Sequence, residues 1–187
     1  MTPITFPVAT TERLVVDELK KSDREQIFEL FSDPVVTAHY DIESFLDIKE
    51  ADNFIEFFTT ESQENGSLRW AMRLKGESGL IGTCGFNSID PYDGCATVGL
   101  DLSPKYWDKG FAREGFGAIL DFAFSPRFPF RMNRIEVLVM TTNSASIAVT
   151  EKAGFKFEGI LRERSFSKGI FHDMKLFSLI RRDHEAQ

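Results

Sequence analysis

Leu100-Asp-Leu-Ser-Pro-Lys-Tyr-Trp-Asp-Lys-Gly-Phe-Ala-Arg113 is the stretch that decides the fold. A strand ends at Ser103-Pro104, a short loop carries Lys105 and Lys109, and Gly110 opens an amphipathic run from Phe111 to Phe124. The first N–H groups of a helix lack backbone partners and carry a partial positive charge. A diphosphate docked at Gly110 would therefore be met by backbone donors, a geometry that suits a nucleotide-like cofactor.

Working outward, the chain has 187 residues and no linker-like segment, so residues 1–187 read as a single domain. Hydrophobic residues at 42% and charged residues at 27% describe a compact globular chain and exclude a mostly disordered one. No apolar run reaches the roughly 20 residues of a membrane span, and Met1-Thr-Pro-Ile-Thr-Phe-Pro lacks the basic-then-apolar order of a signal peptide, so a cytoplasmic location is expected. Cys84 and Cys95 have no metal-type spacing with His39, His172 or His184; a buried thiol pair is expected, and no metal. The net charge of −7, with no patch interleaving bases and aromatics, argues against nucleic acid as a partner and mildly favours a cationic one.

Upstream, Arg13 to Leu19 reads as a strand, and Ser22-Asp-Arg-Glu25 as a capping box that starts a helix near Asp23. Asp33-Pro34 stops that helix. A loop with His39 and Tyr40 leads to a second helix, Ile48 to Thr59, with Phe54, Ile55, Phe57 and Phe58 on its buried side. A turn is predicted over 61–67, then three strands, Leu68–Leu74, Leu80–Ile89 and Ala96–Leu102, joined as an antiparallel meander. Downstream of Phe124 come a strand from Arg134 to Val139 with Ile135, Val137 and Val139 on one face, and a helix from Asn143 to Ala153. Strands Phe155–Glu163 and Phe171–Ile180 follow, around Ser167-Lys-Gly169. The order βααβββαβαββ gives a mixed α/β fold, a mostly antiparallel central sheet flanked by helices.

Trp107-Asp-Lys-Gly-Phe-Ala112, the strand Arg134-Ile-Glu-Val-Leu-Val, Asn143-Ser-Ala-Ser146 and Glu151-Lys-Ala-Gly-Phe155, in that order, resemble the GNAT superfamily of acyl-CoA-dependent N-acyltransferases. More narrowly they resemble its branch of Rim-type ribosomal-protein N-terminal acetyltransferases. The likeness runs from Thr11-Glu-Arg-Leu14 to Phe177-Ser-Leu-Ile-Arg-Arg182; in the phosphate turn, Trp107 departs from the superfamily's Gln/Arg. The resemblance implies acetyl-CoA as co-substrate, a strand pair splayed around its pantetheine arm, and an amine acceptor, either a peptide N-terminus or a small molecule. It implies cofactor contacts from Leu100, Leu102, Lys109, Gly110, Phe111, Ala112, Arg113 and Asn143, with Lys105 adding local charge.

Acyl transfer from a thioester to an amine needs a neutral amine, a donor for the developing oxyanion and a proton for the departing sulfur. A backbone N–H near Leu100 to Leu102 is placed for the oxyanion, and Ser146 stands where Rim-like relatives put a serine near the sulfur. The base is less legible. Where relatives often carry Glu-Ile-Gly, this chain has Thr97-Val-Gly99, and threonine is not a base. Asp101 lies on the same strand face by period-2 alternation and is the candidate replacement.

His39 and Tyr40, in the loop that covers the acceptor in such folds, and Asn87, where relatives often have histidine, are the candidate acceptor contacts. Glu114 is assigned a structural role in the helix's first turn. The competing reading is a non-catalytic acyl-CoA-binding regulatory module, suggested by the residues at Thr97 and Asn87. A nicotinamide or flavin enzyme is disfavoured, since no Gly-x-Gly-x-x-Gly follows an early strand. A homodimer through the last two strands is left open.

Overall fold

The computed structural model describes residues 8–61 and 66–186. The opening heptapeptide and most of the turn predicted over 61–67 lie outside the described residues. Eight strands form one sheet: β1 Ala9–Thr10, β2 Leu14–Glu18, β3 Leu68–Leu74, β4 Leu80–Asp90, β5 Cys95–Leu102, β6 Arg134–Met140, β7 Lys156–Ser167 and β8 Ile170–Ile180. Their spatial order is β1-β2-β3-β4-β5-β6-β8-β7, and among the described residues β5–β6 is the one parallel pair. The helices are α1 Arg24–Ser32, α2 Pro34–Thr37, α3 Ile48–Glu56, α4 Phe111–Phe124, α5 Ser144–Lys152 and α6 Arg181–His184.

The meander of β2 to β5 and the β7–β8 hairpin form as the alternation predicts. Several boundaries differ, each for a local reason. The predicted Ser22–Glu25 box does not form: the Asp23 carboxylate accepts from Lys20 N at 2.8 Å and is gripped by both terminal nitrogens of buried Arg73, so a single tight turn precedes α1. Asp33-Pro34 ends α1, as expected, but it also starts a further turn, α2, because the Asp33 side chain caps Val35 N and proline suits a helix's first position. The second predicted helix keeps α-helical bonding only to Glu56 and widens to a π-turn over Phe57–Glu61, which leaves Phe57 37% exposed instead of buried. Cys84 is buried, whereas Cys95 is only half-buried, so the two do not form the buried thiol pair expected.

Alternation sorts the sheet into two faces. Leu14, Val16, Trp70, Met72, Phe86, Val98, Ile135, Val137 and Val139 point to one side, where Phe116, Ile119, Phe122 and Ala123 of α4 close over them. A smaller cluster lies on the other side, with Ile27, Leu30 and Phe31 of α1 and Ala51 and Ile55 of α3 packed over Ala71 and Leu80. Burial of these side chains, at roughly 25 cal/mol per Å² of apolar surface, is what holds helices on both faces. It covers the β2–β4 half of that second face with α1 and α3. The stretch where β5 meets β6 belongs to the site.

Candidate active site

The parallel ladder between β5 and β6 has only three pairs, Cys95↔Arg134, Ala96↔Ile135 and Thr97↔Glu136. Gly94 O accepts from Asn133 N at 2.7 Å and Arg134 N at 3.1 Å, which fixes the edge that even-numbered residues of β5 present to β6. Val98, Leu100 and Leu102 therefore turn their backbone groups into a widening crevice with no strand opposite. Unpaired backbone amides and carbonyls at such a place call for a partner with amides of its own. One is already engaged: Leu102 O accepts from the Trp107 indole at 2.7 Å. α4 and α5 both begin at the open end of this crevice, where ligands collect at the carboxyl ends of parallel strands.

At the start of α4, Gly110 adopts φ +83°, a left-handed conformation that glycine enters at no steric cost. No side chain caps the helix, and the first intrahelical bond is Glu114 N to Gly110 O at 3.1 Å. The N–H groups of Phe111, Ala112 and Arg113 thus face outward over a helix of 14 residues. The turn is braced from behind. Arg13 donates to Lys109 O at 2.9 Å, lies 4.3 Å over the Phe111 ring and pairs with Glu114 at 2.7 Å.

Burial alone would raise the Glu114 carboxyl, but hydrogen bonds from Thr11, Arg13 N and the Arg13 side chain outweigh it and hold Glu114 below its ordinary range. This carboxylate is tied back to the β1–β2 turn, away from the helix opening. Of the basic residues, Lys105 is paired with Glu29 of α1, Lys109 turns back to Lys105 O at 2.8 Å, and Arg113 is exposed without a partner among the described residues.

Across the crevice, Asn143 Oδ1 caps α5 by accepting from Ser146 N at 3.0 Å. Ser146 is half-buried, and its hydroxyl makes no hydrogen bond among the described residues, so it is free to donate toward the crevice.

Opposite α4, the sheet carries a group of polar side chains in place of a core. Asp101 Oδ2 accepts from Thr83 Oγ1 at 2.7 Å and from Arg69 Nη1 at 3.2 Å, with the two ion-pair side chains only 1% and 8% exposed. Asp101 Oδ1 and Arg69 Nε are buried without partners. Burial pushes the Asp101 carboxyl up to about 8 and the Arg69 guanidinium down to about 10, despite the favourable charge of Asp41 near the latter. The Cys84 thiol is pushed by burial to about 12, which makes it inert. Arg69 also donates Nη2 to Asn87 Oδ1 at 2.7 Å and lies 5.5 Å from the Phe58 ring centre.

The fold thus joins Asp101 to Asn87 through Arg69, sets residues 109–113 at one wall of the crevice and Asn143 with Ser146 at the other. His39 and Tyr40 are half-buried in the loop after α2, where the Tyr40 ring meets Phe31 edge-on at 6.0 Å, and the neighbouring Asp41 is near enough to Arg69 to favour its charge. That loop is stitched to the β7–β8 tip by Lys168 Nζ on Thr37 O at 2.6 Å. Sequence reasoning missed Arg69, Thr83 and Glu136. Glu136 is the last residue of β6 paired with β5 and is held by Arg134 Nε at 2.6 Å. Each is a polar residue on a strand both of whose faces are needed by the fold, a signal that marks a residue as unusual without naming its partners.

A helix opening that presents bare amides, beside two diverging parallel strands, is a site for a diphosphate that carries an extended, amide-bearing arm. Comparison with known proteins makes this specific. Residues 13–156 match the acetyltransferase (GNAT) domain model, and the chain belongs to that family of acetyl-CoA-dependent N-acetyltransferases. It is 35% identical over 174 residues to the uncharacterized N-acetyltransferase p20 of Bacillus licheniformis, covering 93% of this chain and 96% of that protein. Among solved structures, it shares its fold with the spermidine N-acetyltransferase of Vibrio cholerae in complex with CoA and spermine (TM-score 0.78, 21% identity, 94% of this chain and 99% of the other). It shares it equally with RimL, a ribosomal α-N-protein acetyltransferase, in complex with coenzyme A (TM-score 0.78, 17% identity, 92% and 97%).

Proposed function

We propose that this N-acetyltransferase binds acetyl-CoA with its diphosphate on the amides of Phe111, Ala112 and Arg113 and its pantetheine arm along Val98 to Leu102. A primary amine, on a peptide N-terminus or a small molecule, then attacks the thioester directly. The observation that carries the reading is the early end of the β5–β6 ladder beside an uncapped α4. From Leu102 back to Thr97, a strand of about 3.3 Å per residue spans about 17 Å, a length an extended pantetheine arm can follow. The thioester then lies where β5 leaves β6.

The neutral amine nitrogen bonds to the carbonyl carbon, whose oxygen takes the negative charge and is met by a crevice-facing backbone N–H of β5. The carbon–sulfur bond breaks as the carbonyl re-forms. The sulfur leaves as thiolate and receives a hydrogen bond or proton from Ser146; the proton shed by the amine passes toward Asp101, whose carboxyl, raised to about 8, is ionised and able to take it in the fraction of molecules that grows as pH approaches and passes that value. The Trp107-x-x-Gly110-x-Ala112 turn and the Asn143–Ser146 spacing favour the Rim-like branch, hence a peptide N-terminus among the acceptors.

A thiol-release assay with acetyl-CoA and a panel of peptides, amino-acid amides and polyamines tests this. Release above the no-amine rate with at least one acceptor is expected. CoA uptake without release across the whole panel would leave the non-catalytic binding module instead.

A further inference from the structure

The β4–β5 ladder slips by one residue at Asn87: Phe86 pairs with Val98 but Ser88 pairs with Thr97. The extra residue of such a bulge is re-aimed. Here the Asn87 carboxamide is turned across β5 and laid on Gly99, where a Cβ would stand 2.9 Å from Nδ2 and 3.0 Å from Oδ1. Any side chain at position 99 would displace it. Gly99 is two residues past the last β5–β6 pair, on the face away from α4, so the carboxamide lies beside the mouth of the crevice.

Its orientation is fixed from one side. A guanidinium has donors and no acceptor, so the 2.7 Å contact with Arg69 Nη2 requires the oxygen of Asn87 to face Arg69. Nδ2 must then point away. Asn87 is exposed, and Nδ2 has no acceptor among the described residues. The side chain laid over Gly99 beside the crevice therefore offers incoming molecules a hydrogen-bond donor, with a buried cation behind it.

A polyamine or simple alkylamine brings only N–H donors and positive charge to that spot, so donor meets donor. An amine with a carbonyl or carboxylate oxygen beside it brings the missing acceptor. We infer that Arg69 is a positioning residue that locks Asn87 as a reader of such an oxygen, so that the enzyme selects amino-acid-like or peptide N-terminal amines over polyamines and alkylamines. This rests on the transferase reading above and assigns its acceptor chemistry.

The test compares thiol release with glycinamide and with propylamine, each rate corrected for the fraction of free amine. Asn87 is exposed, so its variants should fold. N87A removes the donor and should lower the glycinamide-to-propylamine ratio of kcat/KM about tenfold. N87D keeps an oxygen for Arg69 and replaces the donor by an acceptor; it should lower the ratio further and raise kcat/KM for spermidine. Arg69→Met should lower the ratio in the wild-type background but not in the N87A background, a coupling that mere loss of stability would not produce. A ratio unchanged in both Asn87 variants, with thiol still released, overturns the inference while leaving the transferase intact. No release by the wild type with any amine ends both.

Discussion

The two faces of the β5–β6 crevice are built from different materials. On the α4 side the wall is backbone: the crevice-facing groups of Val98 and Leu100 and the bare amides of residues 111–113, with side chains such as Arg13 and Glu114 as braces. On the far side it is side chains drawn from three strands, Arg69 of β3, Thr83 and Asn87 of β4, and Asp101 of β5, which we propose meet the acceptor. A backbone site fixes the shape of one constant ligand and tolerates much sequence change. A side-chain site can be rewritten residue by residue to suit another acceptor. The spermidine and ribosomal-protein acetyltransferases that share this fold at about 20% identity are named for different acceptors on one scaffold.

If that contrast holds, the largest single effect on turnover should come from the side-chain face. Asp101→Asn keeps an oxygen for Thr83 and Arg69 but cannot accept a proton. It should lower kcat about 100-fold with CoA affinity, read by calorimetry, within about twofold. Stability gives an independent reading. The folded carboxyl sits near 8 against an ordinary 3.8, so between those values the folded state holds a proton that the unfolded chain has lost. Stability should therefore fall as pH rises through this window, and the fall should be shallower in D101N, measured as melting temperature against pH. Full turnover in D101N would move proton removal to solvent or to Glu136 at the crotch of the splay.

On the backbone face, the matching disruption is Gly110→Asp. Aspartate is among the few residues that enter the left-handed region, but at φ +83° it is strained and its Cβ would stand 3.3 Å from Arg13 Nη2, so a modest loss of melting temperature with the fold retained is expected. Its carboxylate would occupy the amides of α4 and repel a diphosphate; CoA binding should weaken about 100-fold, a loss seen in KM more than in kcat. Weakened kcat at unchanged KM would break the division of labour.

The same contrast explains what was legible from residues alone. The phosphate turn, the two helices beside it and the alternation of β3 to β6 depend on local signals, a glycine at a helix start and a period of two, and these carry through to the structure. The acceptor face depends on register. Asp101 was placed on the correct face of its strand, but its company could not be read. Arg69 lies 32 residues away, and the bulge that re-aims Asn87 leaves no mark in local sequence. The Ser22–Glu25 box failed for the same reason: Asp23, held by distant Arg73, takes Lys20 N instead, while the helix still starts beside Asp23 as expected.

Smaller effects belong to side chains that border the backbone site without forming it. Ser146→Ala should cost about tenfold in kcat, the value of one hydrogen bond to the leaving sulfur, and should leave the α5 cap intact because Asn143 caps through the Ser146 amide. Lys105→Ala should do almost nothing. An ammonium in a phosphate loop looks like a ligand for a diphosphate, but this one is about two-thirds exposed and already paired with Glu29. Removing it trades one screened contact for another, and CoA affinity should change by less than about twofold at physiological salt. A tenfold loss in K105A would mean that the pair with Glu29 opens on binding and that charge, as well as backbone, grips the cofactor.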